Sequence, residues 1–377
     1  MGNCDCSRND IEKNENKNQD KVTISDFTML YPIGKGGIAR VWKVLFKREY
    51  NLKSLDNNIL KNESRIFAMK IICKAKIYLK KSVQNAVDNR KFLEMLNYNL
   101  LCKMYYAFQD TDNLYIVMDY LSGGNLRYHI CKKNFFTEQE TKFIAACIVL
   151  NLNYLHQKNI IYRNLKPEKL IFDKDGYLHL IDSGISMECK NGETVTSLSG
   201  TPGYMAPEAI INKPHDFCVD YYALGVIIYE LMLGERPYKG GNRKEIKEQM
   251  FSFEIELNDK DLPEGWNDKN VLDLINKLLK RKKKYRLGNQ GNNEVKNHLW
   301  FKDIQWEQIE NLKLNSPFKF DIEDNFNKNV CQQQDDDSIY EGKKKIYINE
   351  VNESLVFQNF YFNIEDKIIE ENEKKNK

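Results

Sequence analysis

Two groups of residues in the first seventy positions have the types and spacing for phosphate chemistry. Gly34, Gly36 and Gly37 lie between two apolar runs, and glycines let backbone amides approach phosphate oxygens without a Cβ in the way. Lys70 lies inside another apolar run, Ala68 to Ile72, where an ammonium group is costly unless it has a partner. Phosphate is one such partner, and solvent reached by the long side chain is the alternative. We therefore expect a phosphate-binding site here.

The elements that would position these residues follow from the hydrophobic pattern. Short apolar runs separated by glycines and polar residues predict strands, and apolar residues at helical spacing beyond Gly124 predict helices. The predicted strands cover 29–33, 40–46, 65–73, 103–109 and 114–121, and the predicted helices cover 82–96, 137–157, 220–234 and 271–280. The polar insert 47–64 is predicted to be a surface loop. Strands followed by helices indicate an α+β protein.

Composition narrows the class of protein. Lys and Arg number 57 and Asp and Glu 54, a net charge of +3, so nothing indicates a nucleic-acid partner. Nine cysteines without paired spacing do not predict a disulfide framework. No secretory signal is evident, so a reducing cytoplasmic setting is expected. The longest apolar segment, 218–234, contains Asp220 and Glu230 and is too short and too charged for a transmembrane helix.

The first residues resemble a lipidation signal. Gly2 follows the initiating Met1 and precedes small residues, although the usual Ser or Thr of a myristoylation signal is replaced by Cys6. Cys4 and Cys6 are then candidates for palmitoylation, because two acyl chains anchor a protein stably and one does not. The predicted location is the cytoplasm or the cytoplasmic face of a membrane. An unmodified disordered tail over 1–26 is the alternative.

Further motifs resemble the eukaryotic protein kinase family over residues 27–301. After the glycine loop and Ala68-Met69-Lys70, the chain carries in order Tyr162-Arg163-Asn164-Leu165-Lys166-Pro167-Glu168-Lys169, Asp182-Ser183-Gly184 and Ala206-Pro207-Glu208. The resemblance implies a bilobal α+β fold, with a five-stranded antiparallel N-lobe over 27–121 and a mainly helical C-lobe over 122–301. It also implies that Glu208 pairs with Arg286 and that Asp220 anchors the catalytic loop.

The subfamily signals resemble the AGC group. Ser199-Gly200-Thr201-Pro202-Gly203-Tyr204 looks like its activation-segment motif, and 357–362 looks like its hydrophobic motif, whose aromatic residues dock on the small lobe. The chain is most similar to catalytic subunits of cyclic-nucleotide-dependent kinases, so a separate regulatory subunit is an expected partner. The resemblance implies an AGC-type tail over 302–365, which we expect to be followed by a charged, disordered end over 366–377.

The resemblance also implies an ATP site. Asp182 would coordinate the Mg²⁺ that bridges the phosphates. Lys70, Lys166 and Thr201 would act around the reacting groups, and Ser197 would be a phosphorylation site with Arg163 as its charge partner. The residues expected to bind ATP are Ile33, Gly34, Gly36, Gly37, Val41, Ala68, Lys70, Met118, Ile171, Asp182 and Phe326.

Several positions depart from the family pattern. Asn164 replaces the aspartate that accepts the substrate proton, and Lys169 replaces the asparagine that holds a second Mg²⁺, so at most one ion is expected. Asn89 aligns with the glutamate that holds Lys70, and Asp88 beside it would point elsewhere. Ser183 replaces a phenylalanine that links the lobes.

The acidic residues that receive an arginine-bearing peptide in basophilic relatives are also reduced. Asn125 and Gly203 replace two of the four glutamates, and Glu168 and Glu230 remain. Three functions stay open. The first is a pseudokinase, a membrane-associated ATP-binding signalling module that acts through protein partners. The second is a slow Ser/Thr kinase acting on protein substrates, and the third is a relic that binds neither ATP nor partners.

Overall fold

The chain forms two compact units in a computed structural model. The structure describes residues 21–48, 66–133, 135–181, 186–189, 193–291, 293–320, 357 and 359–375. The first unit, called here the sheet unit, comprises residues 1–83, 104–120 and 328–377, and the second, called the helical unit, comprises residues 84–103 and 121–327. Within the described residues, none of the helices has the length and apolar character needed to cross a membrane.

The sheet unit is built on one antiparallel sheet. Its strands are β1 (Phe27–Lys35), β2 (Ala39–Phe46), β3 (Ile66–Cys73), β4 (Met104–Gln109), β5 (Asn113–Asp119) and β11 (Phe362–Asn363). They lie in the order β1-β2-β3-β5-β4-β11. Two helices accompany them, α1 (Lys74–Leu79) and α11 (Ile364–Lys375). The five predicted strands are confirmed. The sixth strand and α1 were not predicted.

One face of this sheet carries an aromatic core. The rings of Phe27 and Phe46 lie 5.0 Å apart, and those of Phe46 and Tyr106 lie 5.3 Å apart. Phe67 and Met69 of β3 belong to this cluster. Because side chains alternate along a strand, the neighbours of these two β3 residues in sequence occupy the opposite face.

The C-terminal segment is fixed to the sheet unit by its aromatic residues. Phe357 and Phe360 are almost fully buried, at 1% and 2% exposure. The ring centroids of Phe357 and Tyr78 of α1 lie 6.2 Å apart. The backbone carbonyl oxygen of Phe357 accepts a hydrogen bond from Gln109 Nε2 at 2.9 Å. Strand β11 then pairs with β4, with Phe362 opposite Ala107. Docking of the hydrophobic motif, which the resemblance implied, is thus present.

The end of the chain differs from the expectation of disorder over 366–377. Helix α11 occupies Ile364–Lys375. It follows directly on the paired strand β11, and Glu365 in its first turn accepts a hydrogen bond from the Tyr106 hydroxyl at 3.3 Å. The expectation of disorder was wrong for residues 366–375. The charged composition suggested disorder, whereas tertiary contacts at Ile364 and Glu365 start the helix.

The helical unit contains most of the remaining elements. The helices are α2 (Val83–Met95), α3 (Leu126–Lys133), α4 (Glu138–Gln157), α5 (Pro207–Ile210), α6 (Cys218–Leu233), α7 (Arg243–Ser252), α8 (Asn270–Leu278), α9 (Asn293–Lys296) and α10 (Trp306–Glu310). The strands are β6 (Gly124–Asn125), β7 (Ile160–Ile161), β8 (Leu170–Phe172), β9 (Leu178–Leu180) and β10 (Met187–Glu188). They form a three-stranded sheet in the order β6-β8-β9 and a separate β7-β10 pair. All four predicted helices are confirmed within two residues at either end.

Two long buried helices form the centre of the helical unit. Thr137 and Glu140 form a capping box at the start of α4, with the Thr137 amide donating to Glu140 Oε2 at 2.9 Å. Helix α6 is buried along almost its whole length. A Cβ on Gly225 of α6 would lie 2.7 Å from Leu278 Cβ of α8. Glycine is required there, since any side chain would push the two helices apart.

Residues 84–103 group with the helical unit, although the sequence analysis assigned them to the N-lobe. The Tyr98 ring stacks on Tyr154 of α4 with centroids 4.5 Å apart. The Cys102 amide donates to the Leu180 carbonyl at 3.1 Å. These contacts are distant in sequence, so the boundary was not readable from the local pattern.

A buried ion pair joins two distant segments of the helical unit, as the resemblance implied. Arg286 Nη1 lies 2.6 Å from Glu208 Oε1, and Arg286 Nη2 lies 2.9 Å from Glu208 Oε2. The Arg286 side chain is 0% exposed. Burial alone would lower the pKa of this guanidinium, but the hydrogen bonds and charge of Glu208 raise it. The arginine therefore stays charged inside the protein.

Substitution of Glu208 tests this pair. Glu208→Ala leaves a buried guanidinium without its counter-charge, and the free energy of unfolding should fall by about 3–5 kcal/mol. Denaturant unfolding measures the change. Glu248→Ala is the matched control, because the Lys244–Glu248 pair is 85% and 64% exposed and its loss should cost under about 1 kcal/mol. Equal losses in the two variants would contradict a structural role for the buried pair.

Candidate functional site

The loop that carries Asn164 is held by the carboxylate of Asp220. Its Oδ2 accepts hydrogen bonds from the Tyr162 amide and from His156 Nε2, both at 2.9 Å, and its Oδ1 accepts one from the Arg163 amide at 2.8 Å. Asp220 is 1% exposed and lies in the first turn of α6. The contacts of Asp220 match the anchoring role that the resemblance implied.

The loop then turns sharply toward its reactive positions. Arg163 has a φ of +64°, a left-handed conformation that is unfavourable for a residue with a side chain. Burial lowers the pKa of its guanidinium, and the charge of Asp220 opposes that shift. After Asn164, a short helical turn over Pro167–Lys169 is closed by a bond from the Lys169 amide to the Lys166 carbonyl at 2.9 Å. The two hydrogen bonds that Asp220 accepts from the Tyr162 and Arg163 amides support the strained residue.

Asn164 and Thr201 lie together, as the resemblance implied. The Thr201 hydroxyl donates to Asn164 Oδ1 across 3.3 Å. Both residues line one cavity of the helical unit with Arg163, Tyr204 and Asp220. The carbonyl oxygen of the Asn164 amide is thus an acceptor, and an amide oxygen does not take up a proton at neutral pH as a carboxylate can.

The candidate regulatory serine lies on the segment before Thr201. The Ser197 and Ser199 hydroxyl oxygens are 2.8 Å apart. This segment is joined to the rest of the unit by a two-way bridge between Val195 and His215, with amide-to-carbonyl distances of 2.8 and 3.0 Å. Pairing of phosphorylated Ser197 with Arg163 remains a prediction.

Four of the predicted ATP-binding residues share one face of the sheet unit. Val41 of β2 is directly opposite Lys70 of β3, and Ala68 is directly opposite Met118 of β5. Opposed residues in antiparallel strands, and residues two apart in one strand, point to the same side. This face is the one opposite the aromatic core, and it also carries Ile116, which is fully buried. Lys70 therefore projects from an apolar face, where phosphate is a suitable partner for its ammonium group.

The glycine loop is a closed turn between β1 and β2. The Gly36 amide donates to the Ala39 carbonyl at 2.8 Å, and Lys80 Nζ donates to the Gly37 carbonyl at 3.0 Å. A Cβ on Gly37 would lie 3.1 Å from that ammonium nitrogen. Gly34 and Ile33 precede the turn in β1. The end of β1 and the turn together place three glycines near Val41, which is opposite Gly34 and belongs to the sheet face that carries Lys70.

Helix α2 carries Asn89, which aligns with the family's partner of Lys70, and Asp88 beside it. Asn89 is buried at 5% exposure. Asp88 is exposed, and its Oδ1 accepts a hydrogen bond from Gln84 Nε2 at 2.7 Å. The prediction that Asp88 faces away from Asn89 is confirmed.

The acidic pair expected to receive a substrate arginine is bound by the chain itself. Arg127 Nη1 lies 2.9 Å from Glu230 Oε1, and Arg127 Nε lies 3.0 Å from Glu168 Oε1. The Tyr204 hydroxyl donates to Glu230 Oε2 at 2.6 Å. Sequence reasoning counted both glutamates as still available and missed Arg127. The only local signal was a basic residue two positions after Asn125.

Other predicted positions are placed without comparable contacts or lie outside the described residues. Ile171 lies on β8, opposite Asn125 and His179. Among the described residues, no group of three or more His, Cys, Asp or Glu side chains is arranged to hold a metal ion. The predicted residues outside the described part are Gly2, Cys4, Cys6, Asp182, Ser183 and Phe326.

The sequence pattern of the protein kinase domain matches residues 27–301. The chain belongs to the protein kinase family. It is 33% identical over 303 residues to Protein kinase 2 of Dictyostelium discoideum. The matched region covers 80% of this chain and 59% of that protein. It is 34% identical over 301 residues to the serine/threonine-protein kinase sgk-1 of Caenorhabditis elegans, covering 79% and 60%.

A third relative is cAMP-dependent protein kinase type 3 of Saccharomyces cerevisiae, 33% identical over 301 residues, which cover 79% of this chain and 70% of that protein. These matches confirm membership of the AGC group. The protein kinase family generally uses ATP and Mg²⁺ and acts on proteins. The chain spans about three fifths of the length of the first two relatives.

Removal of the Asp220 carboxylate tests the loop anchor. Asp220→Ala leaves two buried amides and a histidine without their acceptor, and each unsatisfied buried donor costs about 1–3 kcal/mol. Unfolding should become easier by about 3 kcal/mol or more, and hydrogen exchange of the Tyr162 and Arg163 amides should lose its protection. Asp175→Ala, at an exposed position, is the control. Retained protection of these amides in the Asp220 variant would contradict the anchoring role.

Proposed function

We propose that this protein kinase family member binds ATP but does not transfer its γ-phosphate. In this account it is a pseudokinase, a signalling module that acts by binding other proteins. The observation that carries the proposal is Asn164, which stands at the position of the catalytic base and accepts a hydrogen bond from Thr201. Loss of a general base alone typically costs about 10²–10⁴ in rate.

The residue at the second metal position adds to this effect. Lys169 ends the short turn that follows Asn164, with its amide bonded to Lys166 and its carbonyl accepting from Ile181 at 2.9 Å. An ammonium group cannot coordinate a cation and repels it electrostatically. We therefore expect ATP to bind with at most one Mg²⁺, held by Asp182.

The sheet unit supports the ATP-binding half of the proposal. Lys70 lies on the same sheet face as Val41, Ala68 and Met118. An apolar surface suited to the adenine ring and a cation suited to phosphate therefore lie side by side. Bound ATP would supply phosphate groups whose charge Lys70 and the amides of the glycine turn neutralise. The residues present on this unit fit the nucleotide.

A slow Ser/Thr kinase is the second candidate. Lys166 and Thr201 are retained next to Asn164, and the relatives reported above are named as protein kinases. The phosphoryl-transfer transition state is largely dissociative, so positioning and positive charge contribute more than proton removal. Under this alternative, Lys166 and Lys70 supply the charge and the hydroxyl proton leaves late.

Nucleotide binding and transfer separate the two candidates. Wild type should bind ATP in a calorimetric titration, and Lys70→Met should weaken that binding by about tenfold or more, because a charged hydrogen bond contributes about 1.5–3 kcal/mol. The Mg²⁺ dependence should fit one ion per nucleotide. Lys142→Met, which removes a lysine of the helical unit paired with Asp268, is the control. Two ordered ions per ATP would contradict the role given to Lys169.

Transfer is measured with labelled ATP and a protein substrate mixture. Wild type should transfer no more label than Lys70→Met, whereas an Asn164→Asp, Lys169→Asn double variant should gain activity because it restores the base and the metal ligand. Label transfer by wild type above the Lys70→Met background supports the slow kinase and overturns the pseudokinase.

Membrane association belongs to the same proposal and rests on the residues at Gly2, Cys4 and Cys6 alone. We expect Gly2→Ala, and separately Cys4→Ser with Cys6→Ser, to shift the protein from the membrane fraction to the soluble fraction, because stable anchoring needs two acyl chains. Cys131→Ser, a substitution at an exposed cysteine elsewhere, is the control. Equal recovery of all variants in the membrane fraction would show that lipidation at these residues does not anchor the protein.

A further inference from the structure

The guanidinium of Arg127 is hydrogen-bonded through all three of its nitrogens within the helical unit. Its two terminal nitrogens approach the two oxygens of Glu230 at 2.9 and 3.2 Å, and Nε approaches Glu168 at 3.0 Å. The second terminal nitrogen also donates to the Tyr204 hydroxyl. Four hydrogen bonds therefore use four of the five guanidinium N–H groups. This is a fork-shaped recognition of a carboxylate, made inside one chain.

Two charged members of the network are shielded from solvent, and the third, Glu168, is 41% exposed. The Glu230 side chain is 5% exposed and that of Arg127 is 26% exposed. Burial alone would lower the pKa of Arg127, but hydrogen bonds and charge from Glu230, Tyr204 and Glu168 raise it above its ordinary value. Arg127 therefore stays charged across the physiological pH range, and its single positive charge is shared between Glu230 and Glu168. A guanidinium from a peptide would have to displace Arg127 to reach them.

A second arginine occupies the space beside Gly203. A Cβ built on Gly203 would overlap Arg236 Nη1 and would lie 3.0 Å from Arg236 Cζ. The Arg236 guanidinium lies 5.9 Å from the centre of the Tyr204 ring, on whose hydroxyl Arg127 converges. Gly203 is the position where the sequence analysis placed a missing glutamate. A cation now lies where that acidic side chain would be.

A third arginine extends the same surface. Arg243 Nη2 lies 3.8 Å from the sulfur of Met205, two residues beyond Gly203. Arg236 and Arg243 are both partly exposed. Within the described part of the chain, neither forms an ion pair with a carboxylate. Arg127, Arg236 and Arg243 are called here the arginine face.

We propose that the arginine face binds an acidic segment of a partner protein, and that Arg127 excludes arginine-bearing peptides from the same place. Arg236 and Arg243 would contact the carboxylates of that segment, while Arg127 keeps Glu230 and Glu168 occupied. Two lost glutamates and these arginines change the charge of the surface from acidic to basic, and complementary charge governs partner choice. The proposal deepens the proposed function by naming the class of partner. It does not depend on ATP or catalysis.

Peptide binding to the full chain without nucleotide tests the proposal, so it can fail while the proposed function stands. Three labelled peptides of equal length are compared by fluorescence anisotropy, one rich in Asp and Glu, one rich in Arg and one with Gln in their place. Wild type should bind the acidic peptide about tenfold or more tightly than either of the others. Tighter binding of the arginine peptide by wild type would overturn the proposal.

Two surface substitutions test which residues make the contact. The Arg236→Gln, Arg243→Gln double variant should lose about tenfold or more in affinity for the acidic peptide, as expected when charge-assisted hydrogen bonds are removed. Lys244→Gln with Lys260→Gln removes the same charge from exposed positions and should change affinity less than about twofold. An equal loss in both double variants would show only general attraction to positive charge and would overturn the assignment.

Arg127 is tested by gain of binding. Arg127→Met keeps the aliphatic stem and releases Glu230 and Glu168, so affinity for the arginine peptide should rise about tenfold or more. Arg127→Lys keeps a charge in place and should show no such gain. Circular dichroism and a thermal melt establish that each variant folds. If the methionine variant does not fold, the wild-type comparison and the Arg236, Arg243 variant still decide the proposal. A folded methionine variant without gain would contradict the excluding role of Arg127.

Discussion

The geometry of the helical unit's reactive loop depends on one buried carboxylate. Asp220 accepts hydrogen bonds from His156 and from the amides of Tyr162 and Arg163. These bonds hold Arg163 in a left-handed conformation that the chain would not adopt unaided. Asn164 and Lys166 are placed by the turn that follows. The anchor does not involve the side chain of Asn164, so the base could be replaced without loss of the loop.

This separation explains how the chain keeps a kinase scaffold although several motif residues differ from the family pattern. The structural charges are bonded within the protein: Asp220 and Arg286 are buried, and the partly buried Glu208 pairs with Arg286. The positions that depart from the family motifs are different ones, Asn164, Lys169 and Gly203. None of the three takes part in these charge contacts, so their substitution leaves the contacts in place, because each buried charge keeps its own partner.

Local sequence pattern predicted much of the fold, and distant contacts account for what it missed. The five strands and the long helices were found because their apolar residues recur with strand or helix periodicity. Strand β11 and helix α11 were missed, since they form through contacts with β4 at Ala107 and Tyr106, more than 250 positions away in sequence. Helix α1 was missed because it is only six residues long.

In the site too, residues in sequence motifs were predicted and contacts between distant residues were missed. Asn164, Lys70 and Asp220 were identified because ordered motifs resemble the kinase family. Arg127 was missed because Glu168 and Glu230 lie 41 and 103 residues away from it, and no sequence spacing announces such a pairing. The sequence suggested that Glu168 and Glu230 bind a peptide arginine, whereas in the structure both are paired with Arg127 of the same chain.

Single-turnover chemistry tests the central claim most directly. Protein in excess over ATP, with Mg²⁺ present and a protein acceptor added, is quenched over time and the nucleotide is separated as ATP or ADP. The account predicts that nucleotide bound by wild type is recovered as ATP, at a level equal to that of Lys70→Met. Formation of ADP by wild type, with matching phosphate on the acceptor and above the Lys70→Met rate, would contradict it.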